Sequence, residues 1–198
     1  MDVDSDDGDD EGQPALASNG APPEFRVAVA SGLKPRFSVE LRCDPGQPVD
    51  GKNRDWILDR LREVLAVIED EVPTGGFPKQ ARDLERVSIR VVGDVEMDAA
   101  HRRWCDVPGT TDVLTFESRE DGDLEIDLLL CLDEANRRAM EYGHGVEREL
   151  LLYAVHGVLH CLGHDDREEE DRARMHREED RLLAAVGVGA VYRPERSA

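Results

Sequence analysis

Strands and helices mixed along a single stretch of chain predict a compact α/β or α+β domain. Three observations carry that prediction. Phe37 to Arg42 alternates apolar and polar residues, the signature of a half-buried strand. Asp55 to Asp70 places Trp56, Ile57, Leu61, Val64, Leu65 and Ile68 on one helical face, with charges opposite. Asp123 to Leu132 is nearly continuously apolar, as expected of a strand in the interior of a sheet.

The remaining elements follow in order. Asp44-Pro45-Gly46-Gln47-Pro48 ends the first strand with turn residues, and Pro73 to Pro78 is a loop. Val87 to Val92 reads as a second strand, a short helix lies around Met97–Trp104, and Val113 to Phe116 is a brief strand. Asp133 is placed to cap a helix that runs to Tyr142, and Gly143 suits the left-handed residue that stops it. Glu147 to Cys161 is apolar nearly all round and reads as a core helix. A strongly charged last helix spans about Arg167–Val186, with Met175, Leu182 and Leu183 as its core contacts. No internal repeat is present.

The chain has 198 residues, one domain's worth with an ordinary apolar fraction, and a formal net charge of −20. Residues 1–24 carry eight carboxylates and no Lys or Arg, which accounts for −8, so the rest of the chain stands at −12. This segment, rich in Asp, Gly, Ser, Ala and Pro, is expected to be a disordered acidic tail, leaving residues 25–198 as a single domain. An acidic surface counts against broad, non-specific nucleic-acid binding, which needs Lys and Arg to displace counterions. Four scattered cysteines, Cys43, Cys105, Cys131 and Cys161, form no C-x-x-C pair and read as reduced thiols. Neither a signal peptide nor a run of about 18 apolar residues is seen, so a cytoplasmic protein without membrane contact is expected.

The chemistry lies in the core helix. His156 and His160 are four residues apart, so both imidazoles project from one face, and buried without partners they would be costly. Gly163 ends the helix and lets the chain turn back to offer a third ligand from His164-Asp165-Asp166. A further helical turn would bring in His164; with Gly163 as a stop, Asp166 is favoured and His164 stands nearby, facing the ion's surroundings or a substrate. Two nitrogens and one oxygen suit one Zn²⁺ per chain and leave a position for water, the open arrangement of catalytic zinc. Zinc peptidases with H-E-x-x-H spacing carry a glutamate base directly after the first histidine. That position is Gly157, which cannot take a proton, so peptidase chemistry is disfavoured.

The stretch His156-Gly157-Val158-Leu159-His160-Cys161-Leu162-Gly163-His164-Asp165-Asp166 resembles the H-G-x-L-H-L-x-G-Y-D-H signature of the YbeY family of bacterial rRNA-maturation endoribonucleases. Glu141 to Leu150 is similar to its E-Y-G-H-S-x-E-R-E-L, Thr111 to Phe116 to its T-D-V-L-S-F, and Gly122 to Ile126 to its G-D-I-x-I. The resemblance implies a zincin-like α+β fold, a small mixed sheet with helices around a central metal-binding helix. It further implies zinc-dependent cleavage of single-stranded RNA in 3′-end maturation of small-subunit (16S) rRNA and ribosome quality control. The ribosome or ribosomal proteins would be partners, and no DNA is expected. Three departures from the family pattern matter. Asp166 stands where the family has its last metal histidine, and His164 where it has Tyr. Trp104 and Cys105 replace a Tyr-Arg pair whose Arg is a candidate phosphate holder, a role that Arg102 and Arg103 are near enough in sequence to take. The loss of that Arg keeps a second expectation open, a ribosome-associated assembly factor whose zinc is structural.

Overall fold

A computed structural model describes residues 36–191; the acidic segment 1–24 and the expectation attached to it lie outside the described residues. Four strands form one sheet in the order β1-β2-β4-β3: β1 (Ser38–Cys43), β2 (Leu84–Val92), β3 (Val113–Glu120) and β4 (Asp123–Cys131). β1, β2 and β4 run parallel, and β3 pairs antiparallel with β4. The architecture is therefore mixed, and β4 occupies the interior position its apolar run predicted. Around the sheet pack α1 (Gly51–Glu71), α2 (Asp94–Cys105), α3 (Leu132–Tyr142), α4 (Val146–Cys161) and α5 (Glu169–Ala185). Two short 3-10 turns, Val72–Thr74 and Lys79–Asp83, fill the connection between α1 and β2.

Alternation along β4 divides the core. Leu128 and Leu130 belong to the main cluster with α1, α4 and α5, whereas Leu129 and Cys131 join Val92, Met97 and Leu114 in a smaller cluster under α2. α4 and α2 thus lie on opposite faces of the sheet. Gly157 is where α4 comes closest to the strands: a Cβ there would meet Leu128 Cδ2 at 2.7 Å and Thr115 Oγ1 at 3.3 Å. Glycine at this position lets the histidine-bearing helix lie directly on β3 and β4.

Most element boundaries agree with the sequence reading, with instructive exceptions. β3 continues past Phe116 to Glu120 because Asp121 and Gly122, both with positive φ, make a tight hairpin back into β4. Asp133 does not cap α3. The helix begins a residue earlier, at Leu132, with Cys131 as its N-cap, and the Asp133 Oδ2 accepts from the Asp94 N–H instead, satisfying the start of α2. α5 begins at Glu169 rather than Arg167, because Asp165 Oδ1 accepts the N–H groups of Asp166 and Arg167 in a turn of its own. Gly143 does close α3 in the left-handed conformation, with φ 72°. The four cysteines are free thiols. No helix among the described residues is long and apolar enough to cross a membrane.

Candidate metal centre

α4 ends in a motif written in its sequence. The Gly163 N–H donates to the His160 carbonyl and the His164 N–H to the Leu159 carbonyl, with Gly163 at φ 94°. This is a Schellman turn, and only a residue without a Cβ takes that conformation cheaply. It reverses the chain so that Asp166 returns to the histidine face. The His156 and His160 Nε2 atoms lie 3.0 Å apart. Each stands 3.8 Å from an oxygen of Asp166. Among the described residues, these three form the one group of His, Cys, Asp or Glu side chains drawn together closely enough to hold an ion.

The outward nitrogens explain why the inward ones converge. His156 Nδ1 is 2.7 Å from Glu179 Oε1, and His160 Nδ1 is 3.0 Å from the His164 carbonyl. Both partners are acceptors, so each Nδ1 carries the proton and each Nε2 presents a lone pair. Two lone pairs 3.0 Å apart beside a carboxylate are satisfied by a cation, and the mixed nitrogen and oxygen donors suit a divalent metal. Glu179, on α5, is 1% exposed and also takes a hydrogen bond of 2.9 Å from His176 Nδ1. Burial disfavours charge on Glu179 and on His156. Burial is the largest single influence, but the hydrogen bond between them and the surrounding charges, with the His176 hydrogen bond for Glu179, together outweigh it, holding Glu179 below the ordinary carboxylate range and His156 above that of a free imidazole.

His156 and Asp166 line a cleft of about 680 Å³ whose walls also include Asp112, Arg138, Tyr142, Tyr153, Arg172 and His176. The other sequence candidates sit differently. The His164 ring turns towards Phe77, 6.0 Å between centroids, where burial lowers its basicity; it serves His160 through its backbone carbonyl. Arg102 is paired with Asp98 at 2.9 Å, and the Arg103 guanidinium lies 5.0 Å over the ring of Trp104, which is 61% exposed. Trp104 packs edge-on against Phe116, which belongs to the α2 side of the sheet. Neither arginine is on the cleft wall.

Comparison with known proteins decides the family. The family model described as Endoribonuclease YbeY matches residues 54–187. The chain belongs to the YbeY family. The Endoribonuclease YbeY of Acidothermus cellulolyticus is 38% identical over 163 residues, covering 75% of this chain and 91% of that one. The Endoribonuclease YbeY of Carboxydothermus hydrogenoformans is 39% identical over 104 residues, 52% of this chain and 73% of that one. That of Thermus thermophilus is 35% identical over 133 residues, 65% of this chain and 90% of that one. A solution structure of a Thermotoga maritima protein aligns with TM-score 0.49 and 21% identity over 75% of this chain and 89% of that one.

Sequence reasoning missed Glu179 and His176. A signal for Glu179 was present: it lies four residues after Met175 and three or four before Leu182 and Leu183, on the apolar stripe of a charged helix. Nothing in the sequence alone marked His176, which meets the site through its bond to Glu179.

Proposed function

We propose that this chain is a single-strand-specific, zinc-dependent endoribonuclease that matures the 3′ end of small-subunit (16S) rRNA in ribosome quality control. One Zn²⁺ is held by His156, His160 and Asp166 in a zincin-like domain spanning residues 25–198. The observation that carries the reading is the convergence of two lone-pair nitrogens and a carboxylate in a YbeY-family chain. When bound, the ion supplies Lewis acidity towards a phosphoryl oxygen and lowers the pKa of a neighbouring water.

The chain's own residues do the rest. Glu179 and the His164 carbonyl hold both imidazoles in the Nδ1–H tautomer and fix their planes. Asp166 is the one anionic member of the triad, and the ionised Glu179 behind His156 balances further positive charge at the centre. Arg138 and Arg172 add fixed positive charge to a cleft otherwise rich in carboxylates. Arg102, Arg103 and Trp104 offer guanidinium and aromatic surface to RNA outside the cleft. Gly157 is closed in by Leu128 and Thr115, so a peptidase's glutamate is absent and has no room there. The acidic chain grips naked RNA weakly and relies on the ribosome or ribosomal proteins, in the cytoplasm, for position.

Cys105, exposed where the family carries its Arg, favours a second reading, an assembly factor with structural zinc. One experiment separates the two. The metal content of the wild type and of Asp166→Ala is measured beside cleavage of labelled rRNA 3′ fragments. About one zinc per chain with cleavage that requires it, both lost in the variant, supports the nuclease. Zinc without cleavage supports the assembly factor, and a chain that takes up no metal defeats both.

A further inference from the structure

The polar face of α4 does not stop at the metal centre. Glu149, Tyr153, His156 and His160 follow one another at spacings of four, three and four, so they share one stripe of an otherwise apolar helix. Glu149 lies about 10.5 Å before His156 along the axis, at 1.5 Å per residue. Glu149 is 2% exposed and Tyr153 4%, yet both line the same cleft as His156 and Asp166.

Their polar atoms are poorly served within the chain. His144 Nε2 approaches Glu149 Oε1 to 3.0 Å, and the Tyr153 hydroxyl is a neighbour of the same carboxyl. Glu149 Oε1, Tyr153 Oη and His144 Nε2 are all buried and lie against one another, but none makes a hydrogen bond of good geometry among the described residues. Such a cluster satisfies itself only in part, and a ligand that brings donors to the Glu149 carboxyl completes it. Beside them Tyr142, half-buried on the same wall, stacks on His144 at an interplanar angle of 29° and adds an aromatic edge to the pocket.

We propose that Glu149, Tyr153 and Tyr142 form a nucleobase subsite next to the metal centre, and that it selects guanine. This deepens the nuclease reading and rests on it for the choice of an RNA base as ligand. A hydrogen-bonding edge flanked by an aromatic ring is how single-stranded bases are read. Of the four RNA bases, guanine alone presents two adjacent donors, N1–H and N2–H, on its Watson–Crick edge, and a carboxylate accepts both. Burial pushes the Glu149 carboxyl up, with His144 opposing; donors brought by the base favour its ionised form. Uracil would set carbonyl oxygens against the carboxylate, and adenine and cytosine each bring one donor beside one acceptor.

The test titrates the zinc-loaded full chain with GMP, AMP, CMP and UMP, for the wild type, Glu149→Gln and Tyr153→Phe. Zinc content and thermal midpoint are measured on the same samples. The expected result is GMP bound about tenfold more tightly than UMP, with the gap reduced to about twofold or less in Glu149→Gln and zinc content unchanged. Equal affinity for the four nucleotides, or a gap that survives both substitutions, overturns the subsite. Mapping cuts in a mixed-sequence RNA separates this from the function itself. A chain that cuts RNA but binds the four nucleotides alike loses the subsite and keeps the nuclease. One that selects GMP but cuts no RNA keeps the subsite and loses the nuclease.

Discussion

α4 and α5 lie in contact, and each contributes to the candidate metal centre, but their sequences advertise it very differently. α4 is apolar almost throughout, so Glu149, Tyr153, His156 and His160 stand out as departures that a buried helix must justify. α5 is charged along nearly its whole length, and its one buried carboxylate, Glu179, has no contrast to reveal it. A functional polar group is thus conspicuous in proportion to the apolarity of its surroundings in sequence. On a charged helix, the informative feature is a charge that falls on the apolar stripe.

The largest effects are expected on α4 and at the turn that follows it. His156→Ala and Asp166→Ala are each expected to weaken zinc binding by at least about 100-fold, read by competition with a chelator of known affinity. Retention of wild-type affinity in either variant would mean that the convergent atoms are not the ligands. The α5 end is the sharper test. Glu179→Gln is expected to lower zinc affinity about 10- to 100-fold, because the amide no longer enforces the Nδ1–H tautomer of His156. The exposed Glu170→Gln on the same helix is expected to leave affinity unchanged. Equal effects from the two would remove the distinction between buried and displayed charge on α5.

A third prediction concerns the bed on which α4 lies. Gly157→Ala forces a methyl against Leu128 and Thr115, and is expected to cost about 1–3 kcal/mol in a denaturant titration, with zinc stoichiometry kept. A neutral substitution would mean that α4 has room to shift from the sheet, and that the histidine positions are less fixed than the packing indicates.

Much of the fold was legible because its signals are local. The alternation of Phe37–Arg42 and the apolar run of β4 each fix a strand without reference to distant residues. Asp133 was misread because its oxygen is claimed by the Asp94 N–H across 39 residues, a tertiary competitor that no local cap pattern contains. Within the candidate site, the convergence of His156, His160 and Asp166 was legible from spacing around one glycine stop. The setting of Arg102 and Arg103 was not, because sequence proximity to the T-D-V-L-T-F motif does not say which face of the sheet α2 covers. The register of β4 puts Leu129 and Cys131 under α2 and Leu128 under α4, so the two arginines and the triad are divided by the sheet.

The smallest expected effect comes from the charges that α5 displays most openly. Arg181 makes two bonds of 2.7 Å to Glu71 on α1 and further contacts with Glu178, a network that looks like a clamp between the helices. It is 42% exposed, however, and water and salt screen such pairs while the long side chains lose entropy in forming them. Arg181→Ala is expected to cost no more than about 1 kcal/mol in thermal or denaturant unfolding, less at high salt, and to leave zinc affinity untouched. The buried Glu179, with two histidine partners and no solvent, is expected to matter more to the site than all of these exposed contacts together. A loss from Arg181→Ala that exceeded the loss from Glu179→Gln would reverse that ranking. α5 would then be held in place by its surface rather than by its single buried charge.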